Sequence, residues 1–496
     1  MLDRHPSRHR APGGARRSRR HGLALATAAA LVLPLVPTAA HAANATHAAA
    51  PAGATHADAM LLDAAAGTSS AAGTSSAAGT SSAAGTSSAA VTQSAVGSSS
   101  DPAPSDPAPT DPGTGELTDP SSAAVPDDDG VYRSGTIFPV PPDPFYDPPA
   151  DLGDGADGEL IKVREQAVGL DARTWMVMYH STNATGQDIP VTGRVLVPHH
   201  AWYGEGPRPI VTVAPGTRGI GDDCAPSRWL DYERPLIEPF LLKGYAVVIT
   251  DYEGLGTPGL HTYMVGQSQG RVVLDMVRAA TNLTESGLEP GGKVAIAGYS
   301  QGGGGAVWAG ELWQTYAPEL DVVGVAAGGV PADLTAVSER LNGGVGFGFM
   351  LLAAFGYDAA YPDLDLHAYL NERGERLYEE AQDACVDMAL AYALQDIDVY
   401  TDADPRHTDA WQARFGQNRA GGNPPDVPIF LYHGLFDEIV PRGQAVTLRD
   451  EYCAAGAGVY WQWHLGEHVT TMATAAPSVV TFVERRFRDR PFYPTC

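Results

Sequence analysis

Basic side chains are scarce in this 496-residue chain, with 32 Lys and Arg against 58 Asp and Glu and a formal charge of −26. Seven of those arginines fall within the first 20 residues, so the chain beyond them is more acidic still. A surface of that sign repels polyanions, which excludes nucleic acid and anionic membranes as partners. Long apolar runs are also missing. The stretch Gly22–Pro37 is apolar but too short to span a bilayer, and nothing downstream exceeds it. Behind an Arg-rich start and ahead of the small-x-small site Ala40-His41-Ala42, it has the build of a secretory leader covering residues 1–42. The expected product is exported and has no integral membrane span. Cysteine is sparse as well: Cys224, Cys385, Cys453 and Cys496. None forms a Cys-x-x-Cys or a Cys/His cluster, so no metal site is expected; four cysteines in an exported chain suggest two disulfides, with three pairings open.

Large apolar residues are nearly absent between residues 43 and 130. Ala65–Ser88 repeats Ala-Ala-Gly-Thr-Ser-Ser four times, and Asp101–Pro120 cycles through Asp-Pro and Ala-Pro. Such a tract buries too little surface to offset the entropy of ordering, so residues 43–142 are expected to be a linker. Folded character begins near Leu160, where three alternating segments predict an antiparallel opening to a sheet. Continuous apolar runs then recur at Pro209–Ala214, Tyr245–Thr250, Val294–Ala297, Val322–Ala326, Ile429–His433 and Val459–His464, with helical patterns between them. That grammar predicts a mostly parallel, doubly wound α/β sheet over 143–330 and 428–496. The interval 331–427 is far longer than one crossover helix needs. It predicts an inserted helical cap, with helices over Leu364–Leu370 and Glu375–Leu394 and an apolar lining or lid over Leu341–Phe355, where Phe347, Phe349, Leu351 and Phe355 face substrate.

The chemistry centres on Lys293–Ala306, KVAIAGYSQGGGGA. A strand runs into Gly298-Tyr299-Ser300-Gln301-Gly302, and a helix pattern follows; this is the context of a nucleophile elbow. The same pentapeptide spacing recurs at Gly266-Gln267-Ser268-Gln269-Gly270, but no strand precedes it, so Ser268 belongs to a helix N-terminus. A serine nucleophile needs a base, and the base needs an acid to hold its tautomer. Asp437 follows the fifth parallel strand, with Glu438 as its near rival. His468 follows the sixth, past Gly466, with His464, His433 and His261 as weaker candidates. Two donors must meet the oxyanion, each worth about 3–4 kcal/mol. One is the backbone N–H of Gln301; the second could come from Pro215–Gly219 or from the turn holding Asp251.

The segments GYAVVITDYEGLG, AGYSQGGGGAVWAGELWQTYAPEL, NGGVGFGF, Asp437–Pro441 (DEIVP) and GEHVTT, in this order, resemble the secretory lipase family from roughly Asp143 to the C-terminus. The resemblance implies an α/β-hydrolase fold with an acyl-binding helical cap, no cofactor, and Ser300, Asp437 and His468 as the catalytic triad. It further implies that Asp251, in the D-x-E-G motif, donates to the oxyanion from a protonated carboxyl, and that the disulfides are Cys224–Cys385 and Cys453–Cys496. The expected substrate is an acylglycerol or other ester, met at a lipid–water interface. Acyl transfer on the same site, or a non-catalytic wall-associated binding protein, are the competing readings.

Overall fold

The computed structural model describes residues 142–496, so the expected leader and all but the last residue of the linker tract lie outside the described residues. The chain opens with an antiparallel meander, β1 (Leu160–Glu165), β2 (Ala172–Thr182) and β3 (Asp188–Pro198). Six strands follow: β4 (Ile210–Ala214), β5 (Ala246–Thr250), β6 (Lys293–Tyr299), β7 (Asp321–Gly328), β8 (Ile429–Gly434) and β9 (Val459–His464). Their order in the nine-stranded sheet is β1-β2-β3-β5-β4-β6-β7-β8-β9. Pairing is antiparallel as far as β3 against β5 and parallel from β5 to β9. After β4 the chain moves to one side for β5 and returns to the other for β6, which opens a crevice at the carboxyl ends of these strands.

Helices fill the crossovers. α1 (Arg234–Leu242), α2 (Gly266–Asn282) and α3 (Gln301–Tyr316) follow β4, β5 and β6. Between β7 and β8 lie α4 (Leu334–Leu341), α5 (Phe347–Ala360), α6 (Glu372–Ala381), α7 (Asp387–Ala391) and α8 (Asp409–Gln417). α9 (Arg442–Ala454) and α10 (His468–Phe487) follow β8 and β9. Successive strand residues serve opposite faces: Ile210 and Ala214 pack with α2, α3 and α9, while Val211 and Val213 pack with α1 and α10. Both faces are thus buried, which is why these strands read as unbroken apolar runs; each fully buried valine contributes roughly 1.5–3 kcal/mol. The 334–415 helices have their own apolar core. Among the described residues no helix is long and apolar enough to cross a membrane.

Two local expectations change. The single helix expected over Glu375–Leu394 is interrupted between α6 and α7. There the backbone turns to pair with the loop after β4: Ile220 N donates to Ala384 O at 2.9 Å and Val386 N to Arg218 O at 2.8 Å. Long-range pairing has overridden local helix preference. The helix expected over Leu364–Leu370 becomes two short 3₁₀ turns, because Asp365 between them has φ 45°, outside any right-handed helix. The disulfides are Cys224–Cys385 and Cys453–Cys496.

Candidate active site

β6 delivers Ser300 at its carboxyl end, and α3 starts at the next residue. Ser300 has φ 59° and ψ −122°, a backbone state that side chains other than glycine's rarely adopt, so the hydroxyl is held out on a sharp turn. The turn is possible only without side chains around it. A Cβ on Gly298 would meet Gly302 O at 2.0 Å, and one on Gly302 would meet Ala214 O at 2.1 Å. The nucleophile elbow therefore rests directly on the carboxyl end of β4. The first amides of α3, Gln301 N among them, have no intrahelical acceptor.

The structure brings Ser300, His468 and Asp437 together. His468 Nε2 lies 2.9 Å from Ser300 Oγ, and His468 Nδ1 lies 2.8 Å from Asp437 Oδ2. A carboxylate can only accept, so Nδ1–H donates to Asp437, Nε2 is left as the acceptor and the Ser300 hydroxyl donates to it. Asp437 is buried, and its Oδ1 accepts from the amides of Ile439 (3.0 Å) and Val440 (2.8 Å). Burial alone would push its pKa up. The hydrogen bond from His468, the electrostatic pull of the His468 and His433 rings, and the Val440 amide together outweigh that and hold it below the ordinary carboxylate range.

His468 is the first residue of α10 rather than a loop residue before it. Its position is clamped on three sides: its amide donates to Glu438 Oε2 at 3.1 Å, its carbonyl accepts from Tyr299 Oη at 2.6 Å, and Glu467 caps the helix by accepting from Val469 N and Thr470 N. Glu438, the rival to Asp437, thus supports the base through its backbone. None of the other candidate histidines is hydrogen-bonded to Ser300. His433 is wholly buried and donates from Nε2 to Val440 O at 3.1 Å, behind the acid loop, and burial lowers its pKa. His464 ends β9 with its ring against Tyr432. His261 donates from Nδ1 to Glu253 O at 2.6 Å, so its Nε2 accepts from Gln301 Nε2 at 2.9 Å. Burial pushes the His261 pKa down to about 4, which keeps that ring neutral. Ser268 sits in the first turn of α2 and donates to Glu253 Oε2 at 2.5 Å, a helix-end contact and not an elbow.

Asp251 makes no hydrogen bond to Ser300. Its side chain is fully buried at the end of β5, where Oδ1 accepts from Ser227 N at 2.6 Å and Oδ2 from the hydroxyls of Thr192 (2.6 Å) and Ser227 (2.5 Å). Burial raises its pKa against the pull of those bonds. It is absent from the walls of the cleft that holds Ser300 and Gln301. The loop that does reach the elbow is Pro215–Gly219: Pro215 O lies 2.8 Å from the site of a Cβ on Gly302. The Thr217 hydroxyl is 2.8 Å from that of Tyr263, which lines the cleft.

That cleft runs from Ser300 into the 334–415 helices. Phe349, Leu351 and Phe355 line it; Phe347 does not, because α5 turns its ring inward to stack on Tyr400 at 5.9 Å. Further walls come from Met350, Leu334, Val337 and Ile439, drawn from three separate segments whose meeting no local pattern announces. The site as a whole offers a hydroxyl paired to a neutral imidazole, backbone donors beside it, and an apolar cleft.

Comparison with known proteins adds the following. A family model described as secretory lipase matches residues 227–494. A secreted triacylglycerol lipase of Malassezia furfur is 28% identical over 389 residues, covering 71% of this chain and 77% of its own. A Mycobacterium tuberculosis protein named a probable inactive lipase is 28% identical over 377 residues, covering 70% of this chain and 82% of its own. The solved structure of Candida antarctica lipase A in its closed state aligns with a TM-score of 0.65 at 27% identity, covering 71% of this chain and 87% of that one.

Proposed function

From the premise that this chain belongs to the secretory lipase family and has the α/β-hydrolase fold, we propose that it is a secreted serine carboxylic ester hydrolase acting on acylglycerols or related esters. Family membership alone does not decide activity, since one relative is named a probable inactive lipase. The observation that carries the reading is the unbroken chain Asp437–His468–Ser300, at 2.8 and 2.9 Å, opening onto a cleft lined by apolar side chains.

In this reading His468 takes the Ser300 proton as Oγ attacks the ester carbonyl, and Asp437 holds the ring and stabilises the imidazolium that forms. The tetrahedral oxyanion meets Gln301 N, the first amide of α3 after Ser300. His468 then returns its proton to the leaving alkoxide, leaving an acyl-enzyme, and activates the water that releases the acid. Ser300→Ala should lower turnover of p-nitrophenyl esters by on the order of 10³-fold or more. Ser268→Ala should keep turnover near wild type; the reverse pattern would move the nucleophile to the wrong serine and sink the assignment.

A further inference from the structure

Gln301 follows the nucleophile, and only its backbone amide takes part in the proposed reaction. Its side chain is nonetheless buried in the wall of the cleft and held by a second residue. That residue is His261, a wholly buried ring in the connection between β5 and α2. The direction of the protons around it is fixed. Glu253 O is a carbonyl and can only accept, so His261 Nδ1–H donates to it at 2.6 Å. Nε2 is then left with a lone pair, and Gln301 Nε2 donates to it at 2.9 Å. A neutral imidazole carries one donor and one acceptor on a rigid frame, which suits a bridge between a carbonyl and an amide N–H. Two tyrosines hold that frame. Tyr252 stacks on the ring at 5.8 Å, and Tyr263 meets it edge-on at 5.9 Å. Both reach on to the loop after β4 that abuts the elbow: Tyr252 Oη donates to Pro215 O at 2.9 Å, and Tyr263 Oη lies 2.8 Å from Thr217 Oγ1. Tyr252 does so from φ 70°, a state that is rare for a bulky side chain and gathers at functional sites. His261 therefore stands where the loop after β4, the β5–α2 connection and the first residue of α3 meet.

We propose that His261 is a positioning residue for the reaction, holding Gln301 so that its backbone N–H is in place before the oxyanion forms. This role presupposes Ser300 as the nucleophile and Gln301 N as a donor to the oxyanion. The first amides of a helix have no intrahelical acceptor, so nothing within α3 fixes the Gln301 N–H. The elbow holds the residue through its backbone neighbours, with Ser300 N donating to Gly328 O at 2.9 Å and Gly304 N to Ser300 O at 3.0 Å. The bond to His261 holds it through its side chain. A donor stabilises developing charge best when its orientation is settled beforehand, because no reorganisation is then needed as the charge appears. His261 is bonded to Glu253 and Gln301 and not to Ser300, so it acts through Gln301.

The test is a double-mutant cycle on a soluble short ester, with rates expressed per active site titrated by a fluorophosphonate, so that unfolded chain does not count. His261→Phe keeps a ring between the tyrosines and removes both hydrogen bonds. Gln301→Met removes the side-chain amide and leaves the backbone N–H. Each should lower kcat by on the order of tenfold with KM within about twofold, and the double variant should be no slower than the slower single one. His261→Gln supplies a donor and an acceptor on one side-chain amide and should recover most of the loss. Binding of a trifluoromethyl ketone, which forms a tetrahedral adduct with a serine nucleophile, should weaken in step with kcat, while its trigonal methyl ketone counterpart binds as to wild type. Full kcat in His261→Phe, losses that multiply in the double variant, or a change confined to KM or to the thermal midpoint would each overturn the inference. Ser300→Ala is assayed beside them. If it still turns over, the nucleophile is misassigned and the role of His261 falls with it; an inactive Ser300→Ala beside an unimpaired His261→Phe removes the role of His261 alone.

Discussion

Two buried carboxylates in one sheet, Asp251 after β5 and Asp437 after β8, show how surroundings set a role. Asp437 accepts from one side chain that titrates and from two amides, and it stays ionised beside His468. Asp251 accepts from one amide and two hydroxyls and touches nothing in the cleft. A buried acceptor with three donors is a device for fixing backbone: here it ties the loop at Ser227 to β3 and β5. Asp251→Ala would orphan those donors at about 1–3 kcal/mol for each group left unpaired. The expected result is a loss of at least roughly 3 kcal/mol in urea denaturation, with turnover per active site, titrated by a fluorophosphonate, within a few-fold of wild type. An oxyanion donor would give the opposite pair, a turnover drop of about a hundredfold or more with little change in stability. Asp251 illustrates where sequence reading runs out: a D-x-E-G motif is visible in the chain, but which polar atoms face its carboxyl is decided by Thr192 and Ser227, both more than 20 residues away.

At the scale of elements, the parallel strands are legible because burial on both faces leaves an unbroken apolar run, and the elbow because only glycines fit between β4 and α3. Asp437 and His468 are legible through their place after β8 and β9. The interval between β7 and β8 is legible only in outline. Its helices break where the chain pairs with the loop after β4 or enters the left-handed region at Asp365, and neither event has a local signature in an otherwise helical pattern. His261 is hydrogen-bonded to Glu253 and Gln301, not to Ser300, and those contacts give it a role of their own. It links the turn after β5 to the side chain of Gln301 at the start of α3. That link has a pH signature. His261 protonates near pH 4 in the folded chain and near 6.5 when unfolded. Between those values unfolding takes up a proton, so stability falls as pH falls, by up to roughly 3 kcal/mol at the lower end. His433 and His464 are shifted the same way, so the difference from a variant isolates one group. His261→Gln should flatten the slope of urea midpoint against pH below 6.5; a slope equal to wild type would mean that His261 does not titrate as its burial requires.

Across the whole molecule, the two disulfides act differently because of what they join. Cys453–Cys496 spans 43 residues and fastens the C-terminal tail to the end of α9, beside β9, where Thr495 N also donates to Val459 O. Cys224–Cys385 spans 161 residues and joins the loop after β4 to the helices over the cleft, at the point where residues 218–221 and 384–386 pair through their backbones. Loop entropy assigns them about 4 and about 5 kcal/mol as upper values, too close to distinguish by stability. Activity should distinguish them. The segment tethered by Cys224 continues directly from Pro215–Gly219, which packs on the elbow, so loosening it disturbs the donors around Ser300 as well as the wall of the cleft. Cys453→Ser with Cys496→Ser is expected to lower the thermal midpoint by several degrees and leave kcat/KM on a soluble ester unchanged. Cys224→Ser with Cys385→Ser is expected to lower both, with kcat falling more than KM rises, because the groups displaced serve the transition state. Scanning calorimetry beside initial rates on the two paired variants checks this. Equal kcat/KM in both would mean that the backbone pairing at 384–386 holds the loop without its covalent bond.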